Sequence, residues 1–239
     1  MKTVVIVQAR MGSTRLPGKI LLTLNGKTLL ENVLERAKLI SEVDDVILAT
    51  TTNTEDDLLV DIAKKNNVLL YRGSEQDVLN RYYNAACTYY ADHIIRITSD
   101  CPLLDPKLSS QLLAKYFEKK VDYAHTSNYP RGLDTEVFSF KALEQCENNA
   151  FKQYEREHVT PFIYENKDIF QIYSMSSEVD FSNIRWTVDT IEDFEAVQTI
   201  YKYNSPASGY DWKTNLAILD KQPEILSINS HILQKKLGE

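Results

Sequence analysis

The 239-residue sequence lacks any apolar stretch of the roughly 20 residues that a membrane-spanning helix needs. Its first apolar run is only Val4–Val7, whereas a secretory signal needs about 7–15 residues, so we expect a cytoplasmic protein. Three cysteines without C-x-x-C spacing disfavour a disulfide framework or a zinc site. Cys101 is either a nucleophile or, as we favour because no histidine flanks it, a small residue that fills space.

Acidic residues are missing from the first 30 positions, although the whole chain carries a net charge of −7. Average composition would place about four Asp or Glu there. The segment instead holds five cations: Lys2, Arg10, Arg15, Lys19 and Lys27. Because a negatively charged protein is poorly suited to coat nucleic acid, this local positive charge indicates a small polyanionic ligand.

No linker, low-complexity tract or fixed-period repeat divides the chain, which we interpret as a single domain spanning 1–239. Apolar, β-branched runs alternate with helical patterns four times, which predicts an α/β fold with a mostly parallel sheet covered by helices on both faces. Strands are predicted at Thr3–Ala9, Asp45–Thr51, Val68–Tyr71 and His93–Thr98, and helices at Leu29–Ile40, Glu55–Asn66, Asp77–Ala91 and Pro106–Lys120.

Residues from about 122 to 180 break this alternation and predict a mixed α/β insertion. Beyond it, Asn183–Val188 predicts a strand that returns to the main sheet. The other predicted elements are strands at Tyr123–Ser127, Thr135–Phe140 and Phe170–Met175 and helices at Glu192–Asn204, Trp212–Leu219 and Pro223–Lys236.

Ligands of open α/β sheets bind beyond the carboxyl ends of the strands. This rule selects the loop after Ala9 and the segments 50–54, 72–77 and 99–105, and it brings Ala9, Arg72 and Thr98 among the candidate nucleotide-binding residues. The first loop combines glycines, hydroxyls and cations that suit phosphate: Arg10, Gly12, Ser13, Thr14, Arg15, Gly18 and Lys19. An exposed basic loop is the alternative. A Walker A motif is excluded, because five residues separate the glycines and isoleucine follows the lysine.

Two aspartates follow apolar runs and are candidate ligands for Mg²⁺, which binds one or two carboxylates together with phosphate oxygens and water. Asp100 in "RITSDCPLLDP" is either such a ligand or a turn residue. Asp189 in "NIRWTVDTIED" is either a second ligand or a helix N-cap that forms a capping box with Glu192. Asp105, before Pro106, is interpreted as an N-cap.

Six segments, taken together and in this order, resemble the spore-coat polysaccharide biosynthesis protein F cytidylyltransferases, relatives of the CMP-KDO and acylneuraminate cytidylyltransferases. They are "QARMGSTRLPGK", "DVLNRYYNAA", "RITSDCPLLDP", "RGLDTEVFS", "EREHVTPFI" and "RWTVDTIEDF". The resemblance covers nearly the whole chain. It implies a Rossmann-like nucleotidyltransferase fold and transfer of CMP from CTP to a sugar with release of pyrophosphate. Because members of this family are often dimers, it also implies a homodimer.

The resemblance also implies roles for individual residues. Arg10, Ser13, Arg15 and Lys19 would hold the triphosphate, with Arg15 and Lys19 acting on the departing pyrophosphate. Asp100 and Asp189 would coordinate Mg²⁺. The insertion becomes a substrate lid, and the sugar pocket would be lined by Arg131, Asp134, Glu136, Glu155, Arg156 and His158. Thr98 and Ser99 depart from the pattern, since the KDO and sialate enzymes often carry glutamine there.

Several assignments stay open at this stage. His158 is either a general base or a substrate-binding or core histidine, and Arg131 either binds a sugar carboxylate or is a surface charge. A nucleotide-sugar-dependent glycosyltransferase and a non-catalytic nucleotide-binding protein are the alternative functions. The glycosyltransferase is disfavoured because the chain contains no Asp-x-Asp motif.

Overall fold

The computed structural model describes residues 1–204 and 211–234. Seven strands form one mixed sheet, and β2 and β3 form a separate two-stranded ribbon. In chain order the strands are β1 (Thr3–Gln8), β2 (Thr23–Leu24), β3 (Lys27–Thr28), β4 (Asp45–Thr51), β5 (Leu69–Gly73), β6 (His93–Thr98), β7 (Tyr123–Ser127), β8 (Glu136–Ser139) and β9 (Ile172–Ser176). The large sheet has the order β5-β4-β1-β6-β8-β7-β9.

The α-helices connect these strands and cover the sheet. They are α1 (Leu29–Ala37), α2 (Leu58–Lys65), α3 (Val78–Thr88), α4 (Pro106–Lys119), α5 (Phe140–Asn149), α6 (Gln153–His158), α7 (Pro161–Glu165), α8 (Ile191–Tyr203), α9 (Trp212–Lys221) and α10 (Glu224–Asn229). None of the helices in 1–204 and 211–234 is long and apolar enough to cross a membrane.

Alternate residues of β1 enter two separate cores, because successive side chains of a strand point to opposite faces. Val5 and Val7 pack with α1, α4 and α8 on one face, whereas Val4 and Ile6 pack with α3 and α5 on the other. Strands β5, β4, β1 and β6 pair in parallel, which confirms the predicted mostly parallel sheet covered by helices on both faces.

The predicted insertion extends the same sheet. Strand β8 pairs antiparallel with β6 and with β7, and β7 pairs parallel with β9. The three strands predicted there are confirmed within two residues at each end. The insertion therefore continues the wall of the sheet beside β6, the strand that ends just before Asp100.

The predicted strand Asn183–Val188 is wrong. A single bridge joins Arg131 to Arg185, and the Val188 N–H donates to the Asp100 carbonyl oxygen at 2.8 Å. The alternating apolar pattern arises because Trp186 and Val188 are buried. They are buried here without the continuous backbone pairing of a strand. The last predicted helix is also too long, since α10 ends at Asn229 and residues 235–236 lie outside the described residues.

Candidate active site

A cleft of about 1700 Å³ lies beyond the carboxyl ends of β1 and β6 and extends over β7, β8 and β9. Most residues predicted from the sequence meet in its lining: Ala9, Arg10, Ser13, Arg15, Lys19, Thr98, Asp100, Arg131, Asp134, Glu136, His158 and Asp189. Cations from the first loop and carboxylates from two distant segments thus share one concave surface, as the strand-end rule predicts.

The loop after β1 is held in place by hydrogen bonds of its backbone, so its charged side chains can point toward the cleft. The Met11 N–H donates to buried Asp56 at 2.7 Å, and the Met11 carbonyl accepts from Ser13 at 2.8 Å and Gly18 at 3.2 Å. Gly18 has φ 68°, a left-handed conformation that favours glycine. Lys19 follows directly, so the turn at Gly18 sets where its side chain enters the cleft.

Lys19 joins the two candidate metal ligands. Its Nζ lies 2.9 Å from Asp100 Oδ2, 2.9 Å from Asp189 Oδ1 and 2.7 Å from the Val188 carbonyl oxygen. Its side chain is only 11% exposed, so these interactions are shielded from water. Residues separated by 170 positions in the chain therefore meet at one atom.

Burial alone would lower the pKa of Lys19, but the carboxylates of Asp100 and Asp189 outweigh it and raise that pKa. Burial would likewise raise the pKa of Asp100, whereas Lys19 and a 2.6 Å hydrogen bond from Thr98 Oγ1 lower it. At neutral pH the amine is therefore charged and Asp100 is ionised. In this charge state the Lys19 amine can bind a phosphate, and the Asp100 carboxylate can bind a metal ion.

Asp189 does not cap a helix, so its N-cap interpretation is wrong. Thr190 is the N-cap of α8, and its capping box partner is Asp193 rather than Glu192. The Asp189 carboxylate is directed into the cleft, where Oδ2 lies 2.9 Å from an Arg15 guanidinium nitrogen. Asp105 does cap a helix, accepting from the Lys107 and Leu108 N–H groups of α4, as predicted.

The two carboxylates fit a magnesium ion. Asp100 and Asp189 each place an oxygen within 2.9 Å of one position, now held by the Lys19 amine, and carboxylate oxygens are hard ligands. Within residues 1–204 and 211–234, no group of three or more His, Cys, Asp or Glu side chains could hold a metal ion. A cation bound here would therefore need oxygens from water and from phosphate, the coordination that Mg²⁺ adopts on nucleotides.

Cys101 lies buried beside this pair, with its sulfur 3.1 Å from Thr98 Oγ1 and 3.5 Å from Asp100 Oδ1. Burial raises the pKa of its thiol well above the usual value, and the Asp100 charge adds to the shift. A thiol that stays protonated is a weak nucleophile, which favours the interpretation as a space-filling residue.

The other half of the cleft has a buried ion pair in its floor. Glu136 of β8 pairs with Arg96 of β6 and accepts hydrogen bonds from the Tyr123 hydroxyl and from Thr160 Oγ1. Burial alone would raise the pKa of Glu136, but Arg96 and these hydroxyls outweigh it and lower that pKa below 4.5. Glu136 is thus an ionised side chain whose acceptor sites are largely used within the protein.

Replacing Glu136 with glutamine is expected to destabilise the fold by about 3–5 kcal/mol at pH 7, because Arg96 would stay buried without a counter-charge. Since the folded-state pKa is lowered, the stabilisation is present above pH 4.5 and is lost as the pH falls further. Urea denaturation from pH 7 to pH 3 measures both effects. Glu118→Gln, in an exposed pair with Lys115, is the control and should change little. Equal stability of Glu136→Gln and the parent chain would contradict the role of this pair.

Arg131 and Asp134 reach the cleft from a tight loop between β7 and β8. Gly132 has φ 100°, and a Cβ there would lie 2.7 Å from the Trp186 backbone carbon, so only glycine fits. The Arg131 guanidinium forms no salt bridge within the described part of the chain. His158 also lines the cleft, and burial lowers its pKa, so its imidazole is neutral at pH 7.

Four predicted site residues do not line the cleft. Arg72 donates to the carbonyl oxygens of the loop after β4, and a Cβ on Gly12 would approach the Glu55 carboxylate at 3.1 Å. Glu155 accepts from the Phe151 and Lys152 N–H groups just before α6, and Arg156 pairs with Asp77 and Glu147, which do not line the cleft. Arg72, Glu155 and Arg156 thus make local contacts that hold loops and helix ends together.

Sequence reasoning missed two buried arginines of the site. Arg96 lies in the middle of β6, an otherwise mostly apolar strand, where the sequence pattern does not indicate its pairing with Glu136. Arg185 pairs with Asp193 and lies 3.3 Å from Asp189. The four-residue spacing of Arg185, Asp189 and Asp193 is present in the sequence, but it spans a predicted strand end and a predicted helix start and therefore predicts no common contact.

A family description for cytidylyltransferases matches residues 4–231 of this chain. The chain belongs to the cytidylyltransferase family. It is 30% identical over 226 residues to the spore coat polysaccharide biosynthesis protein SpsF of Bacillus subtilis, covering 92% of this chain and 94% of that protein. The family resemblance inferred from the six segments is confirmed, and the chain is an enzyme of the nucleotidyltransferase class.

Solved structures agree with this assignment. A cytidylyltransferase from Leptospira borgpetersenii superposes with a TM-score of 0.91 at 35% identity, covering 99% of this chain and 100% of that one. A CMP:2-keto-3-deoxy-manno-octonic acid synthetase solved with CTP has a TM-score of 0.68 at 18% identity, covering 85% and 99%. The second match is a likeness of fold, and it confirms the nucleotidyltransferase fold implied by the sequence.

Proposed function

We propose that this cytidylyltransferase uses Mg²⁺ to transfer CMP from CTP to an acidic sugar, with release of pyrophosphate. The observation that carries the proposal is a chain of three ion pairs at the strand ends, in which Arg15 contacts Asp189, and Lys19 contacts both Asp189 and Asp100. Cations suited to a triphosphate and carboxylates suited to a metal thus lie at one point. The fold shared with a synthetase solved with CTP supports the choice of nucleotide.

The reaction needs alignment and charge neutralisation more than covalent help, because a sugar hydroxyl attacks the α-phosphorus in line with the leaving pyrophosphate. Asp100 and Asp189 would hold Mg²⁺, which supplies Lewis acidity to the phosphate oxygens when bound. Arg15 and Lys19 bind the β- and γ-phosphates and stabilise the charge that develops on pyrophosphate. Arg10 and Ser13, which line the same wall, bind the remainder of the triphosphate.

We place the sugar against the half of the cleft built from the insertion. Arg131 is half-buried there and forms no salt bridge within the described residues, so its planar fork is available to a carboxylate. Asp134 and His158 line the same region and offer acceptors for sugar hydroxyls, whereas Glu136 contributes to the wall of this region through its ion pair with Arg96.

Arg131→Met is expected to raise the KM for an acidic sugar at least about tenfold, because a charge-assisted, bidentate contact is lost. The KM for CTP should change less than about twofold, since the loop around Lys19 is untouched. Steady-state kinetics with each substrate varied in turn measures the two values. Equal increases in both, or none in the sugar KM, would remove Arg131 from the sugar site.

The proposal also covers the cellular location, the pathway and the oligomeric state of the enzyme. We place the reaction in the cytoplasm, in surface polysaccharide biosynthesis, with a homodimer whose insertion acts as substrate lid and dimer contact. The similarity to SpsF, named for spore coat polysaccharide biosynthesis, supports that setting.

A thermal-shift screen separates this proposal from its rivals. CTP with Mg²⁺ should raise the melting temperature more than UDP-sugars, CMP-sugars or ATP do, because at equal concentration a ligand that binds the folded state more tightly stabilises it more. Stronger stabilisation by a UDP-sugar would favour a glycosyltransferase. No stabilisation by any nucleotide would contradict nucleotide binding altogether.

A further inference from the structure

Asp189 lies in a segment with little regular backbone structure. Between β9 and α8, the backbone is tied to the sheet by the bridge from Arg131 to Arg185 and by the bond from Val188 to Asp100. A carboxylate on such a segment needs other support if it is to present one oxygen to a ligand reproducibly.

That support comes from a buried guanidinium. Arg185 is 6% exposed, and its Nε and one terminal nitrogen donate to the two oxygens of Asp193 at 3.1 and 3.0 Å. The same terminal nitrogen lies 3.3 Å from Asp189 Oδ2, and the other nitrogen donates to Gln234 Oε1 at 2.6 Å. Oδ2 of Asp189 therefore lies between two guanidinium groups, that of Arg185 at 3.3 Å and that of Arg15 at 2.9 Å, while Oδ1 faces Lys19 in the cleft.

Asp193 anchors this arrangement and has no exposed surface. Its Oδ2 also accepts from the Asp189 and Thr190 N–H groups at 3.1 and 3.2 Å. Its Oδ1 accepts from the Asn229 amide at 2.9 Å, and the same amide donates to the Arg185 carbonyl oxygen at 3.1 Å. Asn229 lies on α10, so the last described helix is bonded to both halves of the ion pair.

We propose that Arg185, Asp193 and Asn229 are positioning residues that fix the Asp189 carboxylate, so that α10 sets the metal affinity of the site. The inference rests on the proposed function, in which Asp189 holds the metal. A buried ion pair is sensitive to the loss of any partner, because the remaining charge cannot return to water. Supporting groups of this kind typically change metal affinity by about 10–100-fold when removed.

Two asparagines on the C-terminal helices allow a matched test. Asn229 is 5% exposed and bonds to the ion pair, whereas Asn215 on α9 is fully buried and accepts from Asn204, away from the cleft. In the presence of CTP, Asn229→Ala should weaken Mn²⁺ binding at least about tenfold, as read from the electron paramagnetic resonance signal of free Mn²⁺ after correction for the Mn²⁺ that the same concentration of CTP binds without protein. Asn215→Ala should stay within about twofold of the parent chain.

The outcomes separate this inference from the proposed function. If the parent chain binds no Mn²⁺ with CTP, the proposed metal site itself fails. If the parent chain binds Mn²⁺ and the two alanine variants bind it equally well, the positioning role is overturned. Arg185→Lys, which keeps the charge and loses the fork, should also weaken Mn²⁺ binding about tenfold and decides the question if Asn229→Ala does not fold.

Discussion

Replacing Asp100 with asparagine is expected to reduce pyrophosphate release about a thousandfold, equivalent to about 4 kcal/mol of transition-state stabilisation. Asparagine keeps the size of the side chain but removes the charge that a divalent cation needs. Lys19 and Thr98 lower the pKa of Asp100 and so favour its ionised form, which asparagine cannot supply. A coupled assay for pyrophosphate, with CTP and a panel of acidic sugars, measures the loss.

The matched control is Asp57→Asn, which removes a carboxylate whose partner, Arg72, lies outside the cleft. Its activity should stay near that of the parent chain. Circular dichroism and melting temperature should show that Asp100→Asn is folded. Full activity of a folded Asp100→Asn protein would contradict the proposal that this carboxylate binds the metal.

Replacing Lys19 with methionine is expected to lower kcat about a hundredfold, because its amine contacts both Asp100 and Asp189 and belongs to the loop that we propose binds the triphosphate. Methionine preserves much of the apolar stem. The stabilisation of the fold by CTP and Mg²⁺ should fall as well, since the enzyme loses a charge-assisted contact to phosphate.

Lys27→Met tests whether position or net charge matters. Lys27 belongs to the same acid-free segment, but its Nζ pairs with Glu35 and it does not line the cleft. Its removal should leave kcat and CTP binding nearly unchanged. Equal losses in the two variants would mean that general positive charge, rather than the placement of Lys19, attracts the nucleotide.

The parallel core could be predicted because local pattern and tertiary position agree there. Strands β4 and β6 consist mainly of apolar and β-branched residues, with Arg96 as the charged exception inside β6, and their bounds are predicted without error. Because the carboxyl ends of parallel strands meet at one edge of the sheet, the order of strands in the sequence is enough to place Asp100 and the loop before Lys19 at the same edge.

The remaining site residues depended on contacts between distant segments. Asn229 bonds to Asp193 and Arg185 from 36 and 44 positions away, and nothing in the pattern of α10 indicates that partnership. Arg156 shows the converse case, since it lies next to His158 in charged company but pairs with Asp77 and does not line the cleft. Sequence pattern reports burial and periodicity, whereas the pairing of buried charges is decided by the fold.

The most direct test of the central claim is the fate of the α-phosphate of CTP. With CTP labelled at the α-phosphate, Mg²⁺ and an acidic sugar, we expect the label in the sugar product and unlabelled pyrophosphate in solution. Chelation of the metal or the Asp100→Asn substitution should abolish the transfer. Label that stays in CTP with every acidic sugar tested, or transfer that persists without a divalent cation, would contradict the account.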